Sequence, residues 1–142
     1  MPKHVRDAMT ADPRHAGASQ SLAEAARMMK DEDVGSLPVV DETGQLVGIL
    51  TDRDIVVRAV AEQVDPQSVH VSDVASRDPV TVNPDDDLED ALTLMGRSQV
   101  RRLPVVEEGR LVGMLAQADV AIEAPAKQVG AAVEAISHRG SL

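Results

Sequence analysis

The sequence predicts an α/β protein in which two copies of one βαββα unit pack through their sheets about a pseudo-two-fold axis. Three observations carry this expectation. Val5-Arg6-Asp7 and Asp12-Pro13 reappear, in a single register, as Val71-Ser72-Asp73 and Asp78-Pro79. Each copy continues with an apolar stripe of helical period and then with two short apolar runs joined by a tight turn. A single copy has a three-stranded sheet and only two helices, too few to bury both sheet faces, so the copies are expected to cover each other.

The elements follow in order. Leu22, Ala25, Ala26 and Met29 align with Leu88, Ala91, Leu92 and Met95 at i, i+3, i+4, i+7 spacing, which predicts an amphipathic helix in each copy. Ser21 with Glu24 reads as a capping box, and Asp87 with Asp90 places carboxylates at the equivalent helix start. Val34-Gly35-Ser36-Leu37-Pro38-Val39-Val40 aligns with Val100-Arg101-Arg102-Leu103-Pro104-Val105-Val106 as a strand. The turns Asp41-Glu42-Thr43-Gly44 and Glu107-Glu108-Gly109 lead to the strands Leu46–Leu50 and Leu111–Leu115, completing a hairpin in each copy. Thr51-Asp52-Arg53-Asp54 and Ala116-Gln117-Ala118-Asp119 then open a second helix. The expected organisation is a first copy over residues 1–62, a linker over 63–70 containing Pro66, and a second copy over 71–124. A C-terminal helical tail follows over 125–142, where Val129, Val133 and Ile136 form a short stripe.

Composition narrows the function. The chain has 142 residues, 43% hydrophobic and 27% charged, which suits a folded protein; it lacks Phe, Tyr, Trp and Cys, so Val, Leu, Ile, Ala and six Met must fill the core. Without cysteine there is no disulfide framework, thiolate metal site or thiol nucleophile. His4, His15, His70 and His138 show no short ligand spacing, so no metal is expected. A formal charge of −10 disfavours nucleic acid and anionic membranes. The first ten residues lack the apolar stretch of a signal peptide, and no run approaches the ~20 apolar residues of a membrane helix, so a cytoplasmic location is expected.

The repeated Leu-Pro-Val-Val strand, the hairpin and a Gly-apolar-x-Thr/Ser-x-x-Asp motif together resemble the tandem cystathionine β-synthase (CBS) domain pair, or Bateman module, over nearly all of residues 5–124. The first copy has this motif in full as Gly48-Ile49-Leu50-Thr51-Asp52-Arg53-Asp54. The second, Gly113-Met114-Leu115-Ala116-Gln117-Ala118-Asp119, has Ala116 in place of the hydroxyl. The resemblance implies binding of an adenosine-containing ligand such as AMP, ADP, ATP or S-adenosylmethionine in clefts between the paired units, and a homodimer of two modules.

Local chemistry fits that implication. The Asp54 carboxylate can accept both ribose hydroxyls, and the Thr51 hydroxyl and the adjoining helix start can meet a phosphate. Arg53 and Arg102 can add charge-assisted hydrogen bonds. The resemblance aligns Arg102 with a phosphate-contacting arginine of some family members and places Thr81 near the base, its counterpart in the first copy being His15. Thr51 with Asp54 is equally a capping box, and both roles can coexist. Asp119 at its helix start favours the helix dipole without a hydroxyl partner.

No nucleophile with a paired base and no Walker loop is evident, so no enzymatic activity is expected. The leading expectation is a regulatory or sensor module with an adenine nucleotide as its regulatory ligand, no other cofactor, and an unidentified separate protein as the regulated partner. The alternative is a ligand-free dimerisation scaffold whose nucleotide clefts have degenerated. One dominant nucleotide site is expected per chain, served by Thr51, Arg53 and Asp54 and depending less on Asp119.

Overall fold

The computed structural model describes residues 3–123, and the C-terminal helix expected over 125–142 lies outside them. The chain runs through α1 (Val5–Ala8), β1 (Thr10–Ala11), β2 (Ala16–Gly17), α2 (Leu22–Glu32), β3 (Ser36–Val40), β4 (Leu46–Thr51) and α3 (Asp52–Ile55). A π-helical turn, Val56–Val60, extends α3, and α4 (Val71–Val74), β5 (Ser76–Arg77), α5 (Leu88–Ser98), β6 (Arg102–Glu107), β7 (Arg110–Ala116) and α6 (Gln117–Glu123) follow. The strand-helix-strand-strand-helix order is present in both copies, with Val82 standing as a single bridge to Val105 where the first copy has β2.

Residues 14–79 make one unit, and residues up to Pro13 together with those from Val80 make the other. The copies in the sequence and the units in space are therefore offset, because each copy gives its leading helix and edge strand to the other unit. β1 pairs antiparallel with β7, Thr10 opposite Met114, while β5 pairs antiparallel with β4, Ser76 opposite Ile49. The backbone repeats the exchange. Val5 N–H donates to the Asp86 carbonyl and Leu88 N–H to Lys3; the equivalent Val71 N–H donates to Gln20 and Leu22 N–H to Val69. Both crossings occur at Asp-Pro, where Asp12 and Asp78 take left-handed φ values of 48° and 54°, a region Asp enters more readily than most residues.

In the first unit the sheet order is β2-β3-β4-β5, with β2 and β3 parallel and the other pairs antiparallel. The second has β1-β7-β6, flanked by the parallel Val82 bridge to Val105. A proline inside a strand ordinarily costs a ladder hydrogen bond. In the second unit Pro104 meets its parallel neighbour through its carbonyl, which accepts from Val82 N–H at 3.1 Å, and Ala16 opposite Val39 repeats the register of Val82 opposite Val105.

Each unit has its own apolar core. Leu22, Ala25, Met29, Leu37, Val39, Leu50 and Val71 form one; Val5, Leu88, Leu92, Met95, Leu103, Val105, Leu115 and Val120 form the other. Each buried leucine, valine or methionine contributes about 1.5–3 kcal/mol, so the aliphatic interior needs no aromatic anchor. Val5 and Val71 show the exchange again, each filling the core of the unit that its own copy does not otherwise build.

The caps differ in detail from the sequence reading. Ser21 Oγ accepts from Glu24 N–H at 3.2 Å, but the Glu24 carboxylate takes the Gln20 side-chain amide at 3.3 Å, so the expected box is half made. Asp87 stands at the N-cap of α5 without a side-chain capping bond. In the first hairpin turn the Thr43 hydroxyl, helped by the Thr43 and Gln45 amides, holds the Asp41 carboxyl below its usual range. A lowered carboxyl pKa stabilises the folded state above the unfolded pKa and loses that effect as pH falls through the folded one.

Candidate functional site

The best-developed polar cluster lies where β4 becomes α3. Extended backbone at Thr51 turns helical at Asp52, which strands the first helical N–H groups. Asp54 N–H donates to Thr51 Oγ1 at 3.0 Å and Thr51 N–H donates to Asp54 Oδ2 at 3.0 Å, a complete reciprocal cap. Asp52 N–H donates to the Gly35 carbonyl at 2.9 Å and ties the helix start to the segment entering β3. Asp52 Oδ1 accepts from Arg53 N–H at 2.8 Å.

Asp54 is only 9% exposed and is the one buried charged residue among those described. A buried carboxylate must be met by donors, and besides Thr51 N–H one residue outside its own turn supplies a hydrogen bond. The Ser76 hydroxyl on β5 donates to Asp54 Oδ1 at 3.2 Å and Oδ2 at 3.4 Å. Arg58 Nε, one helical turn on, stands 4.0 Å from Oδ1, while Arg58 Nη1 donates to the Val74 carbonyl at 3.2 Å. Ser76 can come this close because the motif begins with glycine. A Cβ on Gly48 would fall 2.5 Å from the Ser76 carbonyl oxygen.

Thr51 and Asp54 are thus brought together, and Arg53, in the same turn, is exposed and has no ion pair among the described residues. Thr81, Arg102 and Asp119 belong to the other unit. Arg102 is exposed at the start of β6, opposite Ala116, and Gln117 N–H donates to the Arg101 carbonyl at 2.8 Å, repeating the Asp52 to Gly35 bond. Thr81 is half-buried beside the bridging Val82, and its counterpart His15 is exposed. Asp119 is half-buried in the first turn of α6, and Ala116 gives it no cap.

The sequence reading missed Ser76 and Arg58. Arg58 carried a signal in its i, i+4 spacing from Asp54. Ser76 carried a weaker one, aligning with the hydroxyl of Thr10. A separate hollow of about 440 Å³, lined by Gly17–Gln20 and Val40–Thr43, lies at the end of β3 away from Thr51 and holds none of these residues. Among the described residues no three His, Asp or Glu side chains gather as a metal site, and no helix is long and apolar enough to cross a membrane.

Comparison with known proteins places these features in a wider group. Residues 5–60 and 71–124 match the family model of the CBS domain. The chain is 43% identical over 136 residues to the CBS domain-containing protein YhcV of Bacillus subtilis, covering 95% of this chain and 96% of that one. The crystal structure of CBSX2 in complex with AMP aligns with a TM-score of 0.74 at 29% identity, covering 89% of this chain and 98% of that one. The CBS domain pair of protein MJ0100, in complex with 5′-methylthioadenosine and S-adenosyl-L-methionine, aligns with a TM-score of 0.73 at 27% identity over 87% and 96% of the two chains.

Proposed function

Since the chain belongs to the CBS-domain family as a tandem pair, a group of non-catalytic regulatory modules, we propose that it is a sensor that binds an adenosine-containing ligand through Thr51, Arg53 and Asp54, with Thr81, Arg102 and Asp119 as further contacts. The observation that carries this reading is the Thr51–Asp54 turn, which holds a buried carboxylate one helical turn from a hydroxyl in a chain resembling proteins solved with AMP and S-adenosyl-L-methionine. A ribose offers two adjacent O–H donors, and a carboxylate offers two acceptor oxygens. Thr51 Oγ1 uses a lone pair to cap Asp54 N–H, which leaves its own proton available to a phosphate, so capping and binding are compatible. The exposed Arg53 guanidinium suits the same phosphate.

The module is read as a cytoplasmic homodimer acting on a separate, unidentified protein and not on nucleic acid. Val56, Val57, Val60 and Val64 support self-association, exposing apolar surface along one stretch, with Val60 67% exposed. Sedimentation at micromolar concentration should give a mass above the 15.1 kDa of one chain; a monomer refutes this part of the reading.

A ligand-free scaffold is the second reading. It is favoured by the donors that already occupy Asp54 and by the missing hydroxyl at Ala116. Titrating AMP while following thermal unfolding separates the two. Occupancy at 100 times the dissociation constant stabilises a native-state site by about 2.7 kcal/mol and raises the melting temperature by several degrees. An unchanged melting temperature with AMP, ADP, ATP and S-adenosylmethionine would select the scaffold. Detection by circular dichroism or calorimetry is required, because the chain has no Trp or Tyr.

A further inference from the structure

Asp54 already has donors from within the protein, and the one that comes from another strand is a hydroxyl. Ser76 Oγ spans both carboxylate oxygens, at 3.2 and 3.4 Å. These contacts are long and share one proton, so each is weaker than a linear hydrogen bond of ordinary length. A ribose diol brings two protons to the same two oxygens. We propose that Ser76 is an internal competitor of the ligand, occupying the diol position at Asp54 until the ligand displaces it. This rests on the reading of Asp54 as a ribose-binding residue.

The geometry isolates Ser76 as the group that must yield. The other hydrogen bond to the carboxylate comes from Thr51 N–H, part of the backbone cap, and stays in place. Arg58 Nε is 4.0 Å from Oδ1, beyond hydrogen-bond reach, and the guanidinium is anchored through Nη1 on the Val74 carbonyl. Apart from its contacts with Asp54, Ser76 is held through its backbone, opposite Ile49 in the pairing of β5 with β4. Its hydroxyl can therefore leave by rotation about χ1, between staggered wells, with no movement of the strand. The equivalent place in the other unit differs. Thr10 stands opposite Met114 as Ser76 stands opposite Ile49, yet no hydrogen bond joins Thr10 to Asp119 among the described residues.

The test is calorimetric titration of AMP, and of its 2′,3′-dideoxy analogue, into the wild-type protein, Ser76→Ala and Thr10→Ala, each first shown to be folded by its melting curve. Removing the competing hydroxyl should tighten AMP binding about three- to tenfold. Ser76→Ala should leave the affinity for the dideoxy analogue unchanged, and Thr10→Ala should leave both affinities unchanged. If the wild type binds AMP but Ser76→Ala binds it equally or more weakly, the competitor role is overturned and the adenosine reading survives. Equal tightening for both nucleotides also overturns it, since the diol would then be irrelevant. Absence of AMP binding in every protein overturns the adenosine reading and the competitor role together. Binding by Ser76→Ala alone supports both.

Discussion

Asp54→Ala is expected to weaken AMP binding by about tenfold to a hundredfold, because hydrogen bonds to a charged group contribute about 1.5–3 kcal/mol and the ribose loses its acceptor. Asp119→Ala should have the smaller effect, since Ala116 and Ala118 give its site neither a hydroxyl nor a cation beside the helix start. Asp54 also has a structural share that must be separated from binding. Its loss leaves Thr51 N–H and the Ser76 hydroxyl without their acceptor and removes half of the reciprocal cap. The ligand-free protein should consequently be destabilised by about 1–3 kcal/mol. Asp54→Asn keeps one carbonyl acceptor and should recover part of that stability while binding AMP poorly. Calorimetry on the three variants, with melting curves without ligand, checks both effects. Two equal sites, or a dominant site abolished by Asp119→Ala and untouched by Asp54→Ala, would sink the assignment.

Gly48→Ala should destabilise the protein by about 1–3 kcal/mol, the range for forcing an extra methyl into a packed position, and Gly113→Ala should cost less. The two glycines occupy the same place in the repeated motif, but their surroundings differ in stiffness. At Gly48 the new Cβ would lie 2.5 Å from the Ser76 carbonyl oxygen, a backbone atom held by the pairing of Gly48 with Arg77. At Gly113 the nearest atom is Met9 Sδ at 2.6 Å, with the Thr10 carbonyl oxygen at 3.1 Å. A methionine side chain can swing aside, whereas a strand carbonyl moves only with its strand. Denaturant unfolding of the two single variants measures the difference, and a Gly113→Ala cost equal to or above that of Gly48→Ala would contradict the explanation. Because the Gly48 clash is with Ser76 itself, Gly48→Ala is also expected to disturb the Asp54 contact.

Much of this architecture was legible from local pattern. The stripe Leu88, Ala91, Leu92, Met95 is buried throughout, and the corresponding Leu22, Ala25 and Met29 are buried with Ala26 partly covered. The hairpin strands follow from short apolar runs, the long helices from a period of 3.6 residues, and the turns and the Thr51–Asp54 cap from contacts within four residues. The repeat, the order of the elements and the motif that holds Thr51, Arg53 and Asp54 are therefore properties of local pattern. Long-range packing made the leading segments change places, so that Val5 packs with Leu88 and Val71 with Leu22. It also decided that Ser76, 22 residues from Asp54 along the chain, occupies that carboxylate. Both outcomes depend on which strand β5 and β1 pair with. An internal repeat leaves that choice open, since two copies with the same edge pattern present equivalent partners, and the choice is made only when the assembled cores bury Val5 and Val71.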